Sequence, residues 1–534
     1  YSSPERTPVA YLNPYIGNIS HLLVPTYPTV HLPNSMLRVY PERENFTGNT
    51  INGLPLIVTS HRGSSAFNLS PYQGELQKAG SIIQYGYDNE VIKPYYYSVD
   101  LDDDGMYVQY APSHQSGIYQ IDFSQTDKPA YLIFNTRNGE LKTDGKSISG
   151  YQKLGNHTQV YIYLETDQQP LKIGTHQGAV IRTTDKSTQG HNAYYILEYP
   201  KGTASVLLRY GVSFISSEQA KQNLRREIKN YNLQAVADKG RSVWNETLGK
   251  IFVKGGTENE KTVFYTSLYR TYERMICISE DGRYFSAYDG QVHDDEGIPF
   301  YVDDWIWDTY RATHPLRLII ETEMESNMVN SLIRMAYQMQ PNWMPTFPEI
   351  NGDSRRMNCN HGVATVLDAY NKGMRSFDLA KAYQVCKAAI TEKTLAPWSS
   401  KPAGVLDQFY KDHGYFPALA VGEQETVPEV HSWERRQPAA VTLGTVYDEW
   451  CLGNIAQALG DKKEADYFLK RSLNYHKIFN KETCFFHPKD SFGNFIQPFD
   501  YRYSSGVGGR DAYDENNGWV YRWDLPHNVA DLVN

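Results

Sequence analysis

Two carboxylates stand before a run of aromatics in AYDENNGWVYRWDLPHNV, residues 512–529, where Asp514 and Glu515 precede Trp519, Tyr521 and Trp523. A carboxyl beside an apolar wall resists ionisation, so Glu515 suits the task of keeping a proton near neutrality and passing it to a leaving oxygen. Glycoside hydrolysis uses such an acid together with a second carboxylate that acts on the sugar directly or through water. The competing reading makes Glu515 a helix-start charge ahead of GWVYRW, where the positive end of the helix dipole favours an acid.

A second stretch, FYVDDWIWDTYRATHPL at 300–316, gathers Asp303, Asp304, Trp305, Trp307, Asp308 and Arg311 around a helix entry. Asp303 and Asp304 read equally well as helix-start charges. Asp308 lies a turn further on beside Trp307, a pairing that offers a face for a sugar ring and an acceptor for two of its hydroxyls. A third stretch, FPEINGDSRRMNCNHG at 347–362, holds Glu349, Asp353, Arg355, Arg356 and His361. Alone it reads as a salt-bridged loop.

The elements that must position these groups change character along the chain. Up to about residue 215 short β-branched and aromatic runs such as HTQVYIYLETD and ASVLLRYGVSFIS alternate with turn signals at Asn138-Gly139 and Asp144-Gly145, which predicts an antiparallel sandwich over 1–216. KQNLRREIKNYNLQAVADKGRSVWNETL predicts a long helix or helix pair, a linker over 217–256. Thr257 and Glu260 then form a capping box, with Phe264, Leu268, Thr271 and Met275 as its expected buried face. Further on, Met328, Val329, Leu332, Ile333, Ala336 and Met339 share one side, and a helix ending at Gly460 is followed at once by one starting at Asp461 with a box of its own. Tight turns between amphipathic helices predict a domain of helical hairpins over 257–534, with its cleft built by the long connections near 281–305, 341–361, 396–438 and 485–516.

Composition narrows the partners. The chain of 534 residues is too long for one core, and its net charge of −9 comes without a basic block, which excludes nucleic acid. No run of about eighteen apolar residues exists, so no transmembrane segment is expected. Five scattered cysteines show no disulfide framework or metal-ligand spacing. The 42 tyrosines and nine tryptophans suit sugars, which present C–H faces and hydroxyls, although Tyr-rich strands also simply pack a sandwich. Sequons occur at Asn45 and Asn245, as often as chance supplies them, and the first residue, Tyr, fits a removed signal segment and a trimmed chain equally.

In order, the pieces LNPYIG, TYP, DGRY, WDTYRATHPL, MVNSLIRMAYQM, VYDEW, FLKR and ENNGWVYRWDLPHNV resemble glycoside hydrolase family 92, the calcium-dependent exo-acting α-mannosidases, over the whole chain. The resemblance implies an N-terminal β-sandwich, a helical linker and an (α/α)6 toroid, with hydrolysis of a terminal α-mannosyl residue by inversion. Glu515 falls on the general acid. Trp307 and Asp308 fall on the residues that hold the terminal mannose, and Arg311, His361 and Trp519 join them as candidate substrate-binding residues. The implied substrate is a mannose-containing glycan, α-1,2-linked by first expectation, and the implied site of action is secreted, periplasmic or on a bacterial cell surface. Three departures stand out: the family writes TEGNAW where this chain has residues 514–519, 353–356 replace a Glu-Thr pair and a Cys, and Gly444 replaces an acid before VYDEW. The family's Asp-Asp-Cys-Gly-Gln-Met-Ser-Ala-Trp and Gly-Asn-Glu-Pro segments, which carry the base and calcium ligands, do not occur. Helical segments after 257 number about nine where a toroid needs twelve, so the base and the Ca2+ ligands are expected beyond Asn534, in a further portion of about 200 residues. Two alternatives remain open: another (α/α)6 glycosidase with a different sugar, and a non-catalytic glycan-binding protein on a degenerate glycosidase scaffold.

Overall fold

Alternation of buried and half-exposed residues, as along Thr158–Thr166, makes the first half of the chain strand. The computed structural model describes residues 6–19, 26–43, 47–59, 65–101, 105–125, 127–503 and 510–534. Among these, ten strands form one antiparallel sheet, running in space from Ser187–Gly190 through Gly139–Thr143, Ser147–Gly155, Thr158–Thr166, Ser205–Ser213, Ser116–Asp122, Met106–Pro112, Tyr96–Leu101 and Gln84–Lys93 to Thr50–Asn52. Six more form a second sheet, whose centre is Ala130–Thr136 between Ala193–Tyr199 and Phe67–Tyr72. Much of the tyrosine content is spent between the sheets. Tyr119, Tyr210 and Tyr85 of the larger sheet are buried, and their hydroxyls donate to the carbonyls of Pro55 (2.6 Å), Leu56 (2.7 Å) and Pro71 (2.5 Å) beside the smaller one. Each ring fills the core while its polar tip is satisfied by backbone.

The period changes where the sequence indicates. Helix α1 (Ser217–Glu227) starts at Ser216, whose hydroxyl accepts from the Gln219 amide, and α2 (Leu233–Leu248) starts at Asn232, which accepts from Ala235, so the region is a pair of helices. Both halves of the Thr257–Glu260 box are made at the start of α3 (Glu258–Thr271). Its buried face is displaced from the expected one: Tyr265, Leu268 and Tyr269 are buried, Phe264 is only half-buried, and Met275 is buried beyond the helix end. The sequon at Asn45 lies outside the described residues, while Asn245 of α2 accepts a hydrogen bond from the Val9 amide.

The chain divides into two compact units, Tyr1–Tyr301 and Val302–Asn534, with α1 to α3 in the first. The second unit is helical. Its elements are α4 (Ile306–Thr309), α5 (Thr313–Ile320), α6 (Thr322–Gln338), α7 (Gly362–Asn371), α8 (Leu379–Thr391), α9 (Val405–His413), α10 (Pro438–Ala458), α11 (Lys462–Arg471), α12 (Gly518–Tyr521) and α13 (Val529–Val533). All six apolar residues assigned to one side of α6 and its end are buried. Helix α10 is buried on nearly every side and packs against α7, α8 and α11, as its continuous apolar text requires. Gly460, in the left-handed region, turns the chain into α11, where Asp461 caps the Glu464 amide without the return half of a box. Helix α9 occupies part of the connection expected over 396–438. Among the described residues no helix is long and apolar enough to cross a membrane.

Candidate active site

The sugar-holding candidates sit on α4, a single turn, which needs support from outside its own hydrogen bonds. That support is a buried chain of charges. His314, at the start of α5, lies between Asp304 (Nε2 to Oδ2, 2.7 Å) and Glu325 of α6 (Nδ1 to Oε1, 2.6 Å), all three fully buried. Burial alone would lower the imidazole's pKa, but Glu325 and Asp304 outweigh it and push His314 up to about 9. The ring therefore stays charged at neutrality. The other Asp304 oxygen accepts from the Thr309 hydroxyl at 2.8 Å, pinning the turn that carries Trp307 and Asp308. Neither Asp304 nor Asp303 caps the helix, because the cap position is Trp305 and no side-chain cap bond is made. Asp304 is a support for the turn, which corrects the helix-charge alternative for that residue.

From Trp307 a hydrogen-bonded path runs to the far acid. The indole Nε1 donates to Asn358 Oδ1 at 3.3 Å, and Asn358 Nδ2 donates to Asp514 Oδ2 at 3.1 Å and to Gln437 Oε1 at 2.8 Å. Gln437, buried and left-handed at the entry of α10, passes its own amide to Glu434 at 2.9 Å. Glu434 also accepts from Arg510 Nε at 2.9 Å, and Arg510 Nη2 lies 3.8 Å from Glu515 Oε1. Five residues from four stretches of the sequence thus meet around the 514–515 pair.

The two acids of that pair differ sharply. Asp514 is 1% exposed, and its Oδ1 is buried with no hydrogen-bond partner. Burial first, then the charge of Glu515, with Glu434 and Asp308 adding and Arg510 opposing, push its carboxyl up to about 8. Glu515 keeps 34% of its side chain exposed and sits at φ 53°. The helix start belongs to neither, since Asn517 caps α12 by accepting from the Trp519 and Val520 amides and no acid lies in the first turn. Trp519 and Trp523 are 53% and 61% exposed, and the Trp519 ring meets Phe485 edge-on at 5.0 Å. The burial expected around Glu515 is found at its neighbour.

His361 belongs to a second arm of the same loop. Its Nδ1 lies 2.7 Å from Asp448 Oδ1 of α10, the other oxygen of which accepts the Asn360 amide at 2.8 Å. Tyr310 stacks on the imidazole at 4.3 Å and accepts from Arg311 Nε at 2.7 Å, while Arg311 Nη2 pairs with Asp524. Between the arms Cys359 is buried, and Gly444 of α10 faces it so closely that an added Cβ would lie 2.4 Å from Sγ. The remaining polar loop is salt-bridged as expected, with Arg356 3.5 Å from Glu349 and Arg355 3.9 Å from Asp353.

Calcium seeks six to eight oxygens. Among the described residues no three or more His, Cys, Asp or Glu side chains converge on a point where a metal could sit, and the buried carboxylates Asp304 and Asp448 are committed to protein donors. The residues placed here do not fit the ion, and no step below is routed through it. Sequence reasoning missed Asn358, Glu434, Gln437, Asp448 and Arg510, and assigned Asp514 no role of its own.

Two family domains match the chain, the glycosyl hydrolase family 92 N-terminal domain over 11–213 and the family 92 catalytic domain over 219–534. The chain belongs to glycosyl hydrolase family 92. A family 92 inverting mannosidase from Bacteroides thetaiotaomicron shares 25% identity with this family 92 chain, covering 99% of it and 73% of that protein, with a TM-score of 0.86. A family 92 α-mannosidase from the same organism, solved with mannoimidazole, shares 21% identity at a TM-score of 0.85 over 99% of this chain and 72% of its own. A protein of Arthroderma benhamiae described as an uncharacterized secreted glycosidase is 22% identical over 95% of this chain and 70% of its own length. The family 92 chain is thus a glycosidase with an N-terminal antiparallel β domain and a following helical domain of the (α/α)6 class.

Proposed function

We propose that this protein is an exo-α-mannosidase that removes terminal mannose by a single inverting displacement, with Glu515 as general acid and Trp307 and Asp308 holding the mannosyl residue. The observation that carries this reading is the path from Trp307 through Asn358 to Asp514, which ties a stacking face to an acid pair by two hydrogen bonds. Glu515 is the exposed member of that pair and reaches a glycosidic oxygen. Asp514, buried and protonated near neutrality, adds no second charge beside Asp308 and lets the Asn358 amide hold its place. Trp307 supplies the ring face and Asp308 accepts from sugar hydroxyls, while His361, held by Asp448 and Tyr310, and Arg311, held by Asp524, wall the sugar. Trp519 lies on the leaving-group side.

Protonation of the bridging oxygen by Glu515 breaks the C1–O bond as water attacks C1 from the opposite face, so the product is β-mannose. No described residue is assigned as the base that activates this water. Calcium belongs to the reading as the family's ion, with no ligand assigned among the described residues. Secretion also belongs to it, supported by the description of the Arthroderma relative. The test is proton NMR of α-1,2-mannobiose hydrolysis by the full-length protein with calcium. β-Mannose as the first anomer released is the expected result. α-Mannose first would overturn the single displacement, and release of glucose from an α-glucoside with none from mannobiose would overturn the sugar.

A further inference from the structure

The acid that protonates a glycosidic oxygen stands on the side of the departing sugar, so the groups around Glu515 decide what may leave. The chain places an aromatic there that the reaction above does not use. Trp433 is 58% exposed and shares the Arg510 guanidinium with the 514–515 acid pair. Its ring is not loose. The Trp433 and Glu434 amides both donate to His431 Nδ1 at 3.2 Å, and the His431 ring rests against Trp398 at 5.5 Å, which in turn carries the Arg356 guanidinium at 5.7 Å. On the acid's side, the Arg510 guanidinium lies over the Trp433 ring at 5.8 Å. This is the same arginine that bonds Glu434 and approaches Glu515 at 3.8 Å. One guanidinium therefore links the ring and the acid, and both are fixed before any ligand arrives.

The same segment walls a cavity of about 610 Å³, a size typical of ligand sites, through His431, Ser432 and Arg435, with Asp511 and Tyr513 opposite. Its two arginines are already matched, Arg435 with Asp511 and Arg436 with Glu425, while Glu423 and Asp500 add further acid to the lining. A stacking face beside matched cations and surplus carboxylates, rich in hydrogen-bonding groups, suits a neutral sugar better than an anion.

We propose that Trp433, braced by Arg510, is the platform for the leaving-group sugar, and that the adjoining cavity receives the continuation of a neutral glycan. This rests on the reading of Glu515 as general acid. Two measurements on the full-length protein with calcium separate them. In the first, kcat/KM is compared for α-1,2-mannobiose and for α-mannosyl fluoride, whose leaving group has no ring to stack. Trp433→Ala lowers the mannobiose to fluoride ratio about tenfold, and Trp433→Phe restores most of it. In the second, calorimetry compares mannose with thio-linked α-1,2-mannobiose, which is not hydrolysed. Trp433→Ala weakens the thio-disaccharide about tenfold relative to mannose. Hydrolysis with an unchanged ratio overturns the platform and leaves the acid standing. Absent hydrolysis with a Trp433-dependent preference for the thio-disaccharide overturns the catalytic reading and keeps the platform. Equal losses for mannose and for the thio-disaccharide mean that Trp433 only supports the fold, and the platform falls.

Discussion

Two buried groups of acids lie in the helical unit, and they are balanced in opposite ways. Around His314, the carboxylates of Asp304 and Glu325 face one charged imidazole, with Arg317 3.9 Å from Glu325, so charge is closely matched. Around Asp514, the charges of Glu515, Glu434 and Asp308 raise its carboxyl and that of Arg510 opposes them. The first cluster holds a helical turn and has no opening. The second has excess acid, a buried proton and an exposed carboxyl. Matched burial gives a scaffold, whereas an acid surplus at a surface gives a group that must hold or hand over a proton.

The contrast can be broken most directly at its reactive end. Glu515→Gln is expected to lower turnover of mannobiose by about 100- to 10,000-fold while sparing α-mannosyl fluoride, which needs no proton. A fall confined to the fluoride would place the donor elsewhere. At the scaffold end, His314→Ala leaves two buried carboxylates facing each other, and a loss of about 3–5 kcal/mol in urea unfolding of the second unit is expected. The wild-type contribution has a sign. Because the folded pKa of about 9 lies above the ordinary histidine value, the stabilisation is complete below about pH 6.5 and fades as pH rises through 9.

Asp514 should behave in the same sense, over a lower pH window. Its folded pKa of about 8 lies above the ordinary aspartate value of about 3.9, so the folded state holds a proton that the unfolded state releases, and stability falls as pH climbs from 4 to 8. Asp514→Asn removes that slope and gains stability at pH 8 relative to pH 5, by about 1–3 kcal/mol once local relaxation is allowed. Parallel melting curves of variant and wild type across that range would contradict it. The smallest effect expected is for Asn358→Ala, about 1–2 kcal/mol in stability with a raised KM for α-1,2-mannobiose, since it removes the link between Trp307 and Asp514.

These clusters were legible in the sequence to different degrees, for a physical reason. The change from strand to helix near 216, the box at Thr257 and the buried face of α6 all follow from residues within a few positions of each other. The aromatics beside acids at 307–308 and 514–515 were visible too. Asn358, Glu434, Gln437, Asp448 and Arg510 stand in irregular connections or inside an apolar helix, and their meaning comes from partners up to 156 positions away. A local pattern carries no such information. Burial is equally non-local: Asp514 and Glu515 are adjacent letters, yet only the folded chain shows which one is dry.

Gly444 and Cys359 carry one more consequence. Gly444 leaves room that Cys359 fills, since an added Cβ at 444 would meet the Cys359 sulfur at 2.4 Å. The two positions share one parcel of volume. A side chain introduced at 444 would press on the thiol, so the size tolerated at either position is set by the residue at the other.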